Sequence, residues 1–364
     1  MKSQRRPIGR LRLGRLAVVV ALVAIVATAL VRLRPVAQVE AEYLVFGSRA
    51  RIVVQTRDRE SAETALSAIG RKLADDHRRW HAWEPSELTR LNEALARGQS
   101  REVDADMAEM IRHAQRGYDL TDGLFNAAAG KLIGAWGFHT GDYPVRTAAP
   151  AAPRIEQLVA QAPAMIDVDV HGTTISSRNP AVSLDLNGLS EGYASLQAQR
   201  VLAEHGLHDA LVYVGGFVLA LGHDRGADWE VGVRGPKELL GTVRLRDGEA
   251  LSSSGDYLRR RTDGGGHIVD PREGRPQRRS AATTVLADDP VLADMAATAL
   301  MVAGEPGFDR LLARMRLGCA LLVTSDGRLH LTRGMEARLR DIPVGLPRTV
   351  HAGAGMDCSV ATRR

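Results

Sequence analysis

The stretch from Ser252 to Pro276, SSSGDYLRRRTDGGGHIVDPREGRP, sets a Ser-Gly-Asp-Tyr turn and a His-Ile-Val-Asp-Pro segment on either side of one glycine-rich reversal. Asp263 and the three glycines after it supply the positive φ that a tight turn needs, so Tyr257 to Arg261 and His267 to Val269 are expected to pair as antiparallel strands with His267 near Asp256. With an unperturbed pKa of about 6.5, a histidine held there could act as a general base; a strand-end histidine bonded to backbone is the simpler alternative. Asp294 and Thr298 stand four apart in the apolar segment LADMAATALMV. One helical turn puts both on one face, where a carboxylate and a hydroxyl are hard oxygen donors of the kind Mg²⁺ accepts. The competing reading is an Asp favoured by the helix dipole and a Thr bonded back to its own turn.

Asp185 to Tyr193, DLNGLSEGY, leads from a strand end through a glycine-containing loop into a helix start, where free N–H groups can receive an anion. The spacing matches neither a dinucleotide fingerprint nor a Walker loop, and a Ser-capped helix after an Asx turn explains it equally. Gly215-Gly216 marks a bulge or a close approach by backbone or ligand. Thr121-Asp122-Gly123 reads as a turn, and Trp80 and Trp83 as core packing or as a platform for an aromatic ligand.

The periodicities predict a strand at Val45 to Thr56 and helices at Glu60 to Arg79, Glu87 to Ala96 and Asp106 to Gln115, with Leu124 to Trp136 partly helical. A hairpin is expected around His171-Gly172 and a helix over Ser190 to Glu204. Strands follow at Val182 to Leu186, Ala210 to Val214, Val218 to Leu221, Trp229 to Val233, Thr242 to Leu245, Ala281 to Leu286, Ala320 to Thr324 and Arg328 to Thr332, with a helix from Asp289 to Val302. This alternation is too irregular for a doubly wound parallel sheet. It predicts an α+β fold of mixed, largely antiparallel sheets with flanking helices.

The chain has 364 residues and a formal charge of +5, but residues 1 to 34 hold eight basic residues and no acid. The remainder is left with 40 basic against 43 acidic residues, which argues against a nucleic-acid partner. Basic residues up to Arg15 precede the apolar run Leu16 to Val31, the pattern of a signal peptide or a signal anchor. The protein is therefore expected to be exported to the periplasmic side of the cytoplasmic membrane, released or anchored. Residues 35–340 would form the main domain, with a subdomain boundary near 150, and 341–364 a disordered tail. Cys319 and Cys358 are expected to stay unpaired, and neither has the spacing of a zinc site.

WEPSELTRLN, TDGLFNAAAGKLIGAWGF, DLNGLSEGYA, ALVYVGGFVLALG, WEVGVRGP, SSGDYLRR, HIVDPREGRP and ADMAATAL occur in this order, and together they resemble the ApbE family of FAD:protein FMN transferases from about Trp83 to Val302. The resemblance implies Mg²⁺-dependent cleavage of FAD, with FMN passed as a phosphoester to a Thr or Ser of an acceptor flavoprotein and AMP released. It implies Asp294, Thr298 and the carbonyl of Gly188 as metal ligands. It implies Asp185, Glu191, His267 and Ile268 facing the flavin dinucleotide, Leu124, Phe125 and Asn126 along it, and Trp83 near an aromatic ring. His267 and Asp185 would be catalytic, His267 as base for the acceptor hydroxyl, and the acceptor would belong to a membrane electron-transfer complex. Two positions depart from the family's usual pattern: Phe217 follows the paired glycines and Asn126 follows Phe125, where aspartates are common. An FAD pyrophosphatase, with water in place of the acceptor, and a noncatalytic flavin-binding assembly factor are the alternatives.

Overall fold

A computed structural model describes residues 35–355, 357 and 358. The basic, apolar leader therefore lies outside the described residues, among which no helix is long and apolar enough to cross a membrane.

One nine-stranded sheet organises the chain. Its strands are β1 (Ala37–Val45), β2 (Ser48–Thr56), β3 (Ala210–Val214), β4 (Phe217–Leu221), β5 (Ala250–Gly255), β6 (Ser280–Ala287), β7 (Cys319–Thr324), β8 (Leu329–Thr332) and β9 (Arg348–His351). They lie side by side in that order, all neighbours antiparallel except the parallel pair β8 and β9. Three small sheets are separate, the largest joining Trp229–Arg234, Leu239–Leu245 and Leu339–Arg340. The helices are α1 (Arg59–Arg79), α2 (Glu87–Ala96), α3 (Ala105–Leu120), α4 (Gly130–Ala135), α5 (Ala152–Ala160), α6 (Asn187–Glu204), α7 (Pro290–Met315) and α8 (Arg333–Arg338).

The main sheet is buried on both faces. In β2, Ile52 and Val54 face a core shared with α1, α3, α6 and α7, while Val53 faces a second core built with Trp229, Val231 and Val243 of the small sheet. That is why ALVYV, FVLAL and CALLVT read as continuous apolar runs rather than alternating ones. α7 is likewise apolar on nearly all sides because sheet and helices surround it. Asp289 caps it by accepting from Leu292 N at 2.9 Å, Pro290 fits its first turn, and Gly304 at φ 63° kinks it ahead of Pro306.

Three local readings change. The expected strand from Val45 is a hairpin, because Phe46 and Gly47 have φ of 54° and 65° and turn the chain in two residues. Its outer arm, β1, is an edge strand whose Glu40 meets Arg51 at 2.7 Å, so charge hid its strand character. Val182 to Leu186 is extended but bonds to a loop instead of a sheet, Ser183 N donating to Ala128 O at 3.1 Å and Asp185 N to Ala127 O at 2.8 Å. Tyr257 to Arg261 does reverse onto Gly265 to His267, His267 N donating to Arg259 O at 3.0 Å, without building regular strands.

The C-terminal segment also differs from the tail expected of it. β9 pairs with β8, and Cys358 is bonded to Cys319 across a Cα separation of 5.0 Å, which corrects the expectation of two free thiols. Thirty-nine residues separate the partners, so the loop-entropy relation gives the bond about 4 kcal/mol of stability. Cys358→Ser is expected to lower the melting temperature by several degrees while leaving ligand affinity at the cavity unchanged. Calorimetry with and without reductant checks this, and a parent protein insensitive to reductant would contradict it.

Candidate functional site

A cavity of about 1200 Å³ opens at the end of the helical layer beside β4 and β5. All the candidate residues line it: Trp83, Leu124, Phe125 and Asn126 from the α2 and α4 approaches, Asp185, Gly188 and Glu191 around the start of α6, His267 and Ile268 from the glycine-rich reversal, and Asp294 and Thr298 from α7. Residues more than two hundred positions apart in sequence thus share one space, and their placement is set by how α6 meets α7.

α6 and α7 cross closely because Gly192 has no side chain. A Cβ there would lie 2.6 Å from Pro290 O and 3.1 Å from Asp294 Cβ. The approach lets Gly192 N donate to Asp294 Oδ2 at 2.9 Å, while Ser252 Oγ of β5 reaches Asp294 Oδ1 at 3.3 Å. Asp294 is only 6% exposed. Burial first, and then the charge of Glu191, push its carboxyl well above the usual carboxylate range.

Glu191 is the second carboxylate. It rests on the paired glycines, accepting from Gly216 N at 2.9 Å. A Cβ at Gly215, whose φ is 60°, would collide with its Oε1, and one at Gly216 would lie 2.5 Å from Ser253 O. The glycine pair therefore marks a close approach by a side chain of the protein itself. Burial raises the Glu191 carboxyl, opposed by the Gly216 N–H and by the charge of Arg259. Thr298 is half-buried one turn beyond Asp294, its Oγ1 3.4 Å from Ser254 Oγ.

This donor set is entirely oxygen. Two sheltered carboxylates that repel each other, with a hydroxyl one turn on, fit a hard divalent cation better than a thiophilic one. Among the described residues no group of three or more His, Cys, Asp or Glu is gathered as a ligand cluster. Mg²⁺, which takes few carboxylates and keeps water or phosphate oxygens, is compatible with so sparse a set.

His267 is pushed down to about 4, chiefly by burial and then by Arg259, against the opposing pull of a backbone hydrogen bond and of Asp185. Its Nδ1 is buried without a hydrogen-bond partner. A lone pair left unpaired costs less there than a buried charge, so the ring is neutral at pH 7. Asp185 is fixed at both oxygens, Oδ1 accepting from Asn187 N at 3.0 Å and Oδ2 lying 3.1 Å from His139 Nε2. Asn126 donates Nδ2–H to Pro163 O at 2.8 Å and accepts from Ala128 N at 3.1 Å. Its amide serves two loops at once, a role an ionised Asp could not fill because it has no donor. Phe217, the other departure, is fully buried in the helical core. Trp80 is core as well, whereas Trp83 is 36% exposed.

Several cavity residues were not singled out from sequence. Arg259 donates to Phe46 O at 3.0 Å and acts on Glu191 and His267, so a cation stands among the acids. Tyr143, Ser253, Ser254 and Phe46 also line the space. Three of these five, Ser253, Ser254 and Arg259, lie in the run SSSGDYLRRR, whose hydroxyls and guanidinium groups are the only local signal for them.

Residues 46–323 match the model of the ApbE family. A protein of Rhodobacter capsulatus named FAD:protein FMN transferase is 40% identical over 321 residues, covering 86% of this chain and 60% of its own length; the chain thus spans less than two thirds of that relative. Among solved structures, an ApbE protein of Thermotoga maritima superposes with TM-score 0.75 at 27% identity, covering 84% of this chain and all of its own. The flavin transferase ApbE of Vibrio cholerae gives TM-score 0.73 at 24% identity, again over 84% of this chain and all of its own, a likeness of fold. With most of its length matched by the family model and its fold shared with these structures, the chain belongs to the ApbE family.

Proposed function

We propose that the protein is an FAD:protein FMN transferase: it cleaves the pyrophosphate of FAD, joins FMN through a phosphoester to a Thr or Ser hydroxyl of an acceptor flavoprotein, and releases AMP. The observation that carries this reading is the Glu191–Asp294 carboxylate pair facing the same cavity as Asp185, His267 and the exposed Trp83. The 40% identical relative bearing that activity's name supports it.

The acceptor oxygen attacks the FMN-side phosphorus, the bond from that phosphorus to the bridging oxygen breaks, and AMP leaves with the bridging oxygen. His267 takes the hydroxyl proton, for which its neutral ring is ready at pH 7. Arg259 offsets phosphate charge, and the N–H groups at the start of α6 receive phosphate oxygens. Asp294, Thr298 and the Gly188 carbonyl, with Glu191 beside them, would hold Mg²⁺, which when bound supplies Lewis-acid stabilisation of the developing charge. Trp83, Leu124, Phe125, Asn126 and Ile268 form the walls along the dinucleotide. The leader at residues 16–31 supports export and work on the periplasmic side of the cytoplasmic membrane, where a membrane electron-transfer complex would supply the acceptor.

The deciding experiment incubates the protein with FAD, Mg²⁺ and a candidate acceptor and weighs the products. Acceptor carrying FMN with one AMP per transfer supports the reading; free FMN with AMP would mean hydrolysis, and unchanged FAD a binding protein. Asp294→Ala is expected to lower kcat at least about 10³-fold while FAD binding weakens far less, as for a group that acts mainly on the transition state. Full turnover in that variant would refute the metal assignment.

The pH dependence follows from His267. Its base form persists down to about 4, so with Mg²⁺ kept saturating at each pH kcat/KM should hold through pH 6.5 and fall only as pH drops towards 4. The same depression means that the unfolded chain binds the proton first on acidification. Stability contributed by the neutral ring is therefore complete above about 6.5 and is lost as pH falls towards 4. His267→Gln should remove that acid sensitivity of the melting temperature together with the activity. An acid limb centred near 6.5 would assign the proton to another group.

A further inference from the structure

We propose that His139 is a positioning residue that ties the Asp185 carboxylate and the Trp83 ring into one wall of the cavity; what that wall binds rests on the flavin reading above. His139 does not itself line the cavity, although its neighbours Phe138 and Thr140 do. It sits behind two residues that do. Its Nε2 is 3.1 Å from Asp185 Oδ2, and its ring lies nearly parallel to Trp83, with centroids 5.4 Å apart and planes 16° apart. His81 closes on Trp83 edge-first at 4.2 Å.

Each contact removes a freedom that a binding site cannot leave open. The Asp185 oxygen that does not take the Asn187 N–H is the one facing His139, so the carboxylate cannot rotate. Trp83 is the most exposed aromatic ring on the cavity wall, and a half-exposed indole is held in one orientation only by rings stacked against it. The imidazole reaches both because residue 134 is glycine: a Cβ there would stand 2.8 Å from His139 Nδ1. With Nε2 facing Asp185, Nδ1 is turned towards that gap. The carboxylate and the ring are therefore set by one imidazole, and a planar heteroaromatic group on Trp83 keeps a fixed relation to Asp185.

Three substitutions separate the two contacts. His139→Gln keeps an N–H donor without a ring, His139→Phe keeps a ring without a donor, and His139→Ala loses both. The Ala variant is expected to raise KM for FAD about 10-fold or more with kcat within about threefold, and Gln and Phe should each recover part of the loss. Gly134→Ala, which changes no cavity residue, should reproduce the Ala phenotype. Tryptophan emission should differ between parent and His139→Ala, and that difference should vanish in a Trp83→Phe background. Unchanged KM and FAD affinity in His139→Ala would overturn the proposal. So would Ala, Gln and Phe variants that lose activity equally and in step with melting temperature. A parent protein that binds no FAD would retire the flavin reading instead, and the positioning role would then stand or fall on the Trp83 emission.

Discussion

The site depends on two carboxylates being held close together away from water. Each is accommodated by the donors from which it accepts: Asp294 from the Gly192 N–H and Ser252 Oγ, Glu191 from the Gly216 N–H. Both carboxyls are nevertheless driven upward, because burial, joined for Asp294 by the charge of Glu191, outweighs those hydrogen bonds. A pair arranged in this way resists charging until a cation joins it, so proton and metal compete for the same oxygens and metal affinity should rise with pH.

The layers of the fold hold that pair in place. α7 cannot rotate to carry Asp294 towards water, because nearly every other side chain of its first half is buried against β5, β6 or the neighbouring helices. α6 cannot slide away, because Gly192 packs on the Pro290 carbonyl and Gly188 on the ring of Phe125, where a Cβ would lie 2.9 Å from Cε2. β4 and β5 meet beneath, and the Gly215-Gly216 turn brings the Gly216 N–H to Glu191 where a larger residue would fill the space. Small residues at four positions thus convert ordinary helix and sheet packing into a cavity with fixed walls.

How much of this is legible in the sequence depends on whether the signal is local. The helices with clear periodicity and caps were readable, α2 over its whole length, since Ser86 and Thr89 form a capping box that LTRLN continues. The one-turn spacing of Asp294 and Thr298 was readable for the same reason. The edge strand β1 was not, because Glu40 and Glu42 mask its alternation, and its Phe46-Gly47 turn lacks the Asn-Gly or Asp-Gly signature. The disulfide is not legible because Cys358 lies in a polar tail, and only the pairing of β9 with β8 brings it to the start of β7. His139 and Arg259 escaped notice since nothing local distinguishes them; their meaning lies in partners 46 and 213 residues away.

The two departures from the family's usual pattern can be weighed on the same terms. Phe217 alternates with Val218 along β4 and faces the helical core, where its full burial adds packing that a carboxylate would forfeit. The charge beside the glycine pair is instead supplied by Glu191, reaching across from α6. Asn126 exchanges a charge for a donor and uses it on Pro163, fixing the loop that carries Leu124 and Phe125 along the cavity. Neither change touches the hydrogen bonds that hold Asp294 or Asp185. Buried carboxylates are a standing cost to stability, and apolar replacements at such positions often stabilise a fold. With Asn at 126 and Phe at 217, Glu191, Asp294 and Asp185 are the carboxylates that the chain's glycines and N–H groups are arranged to receive.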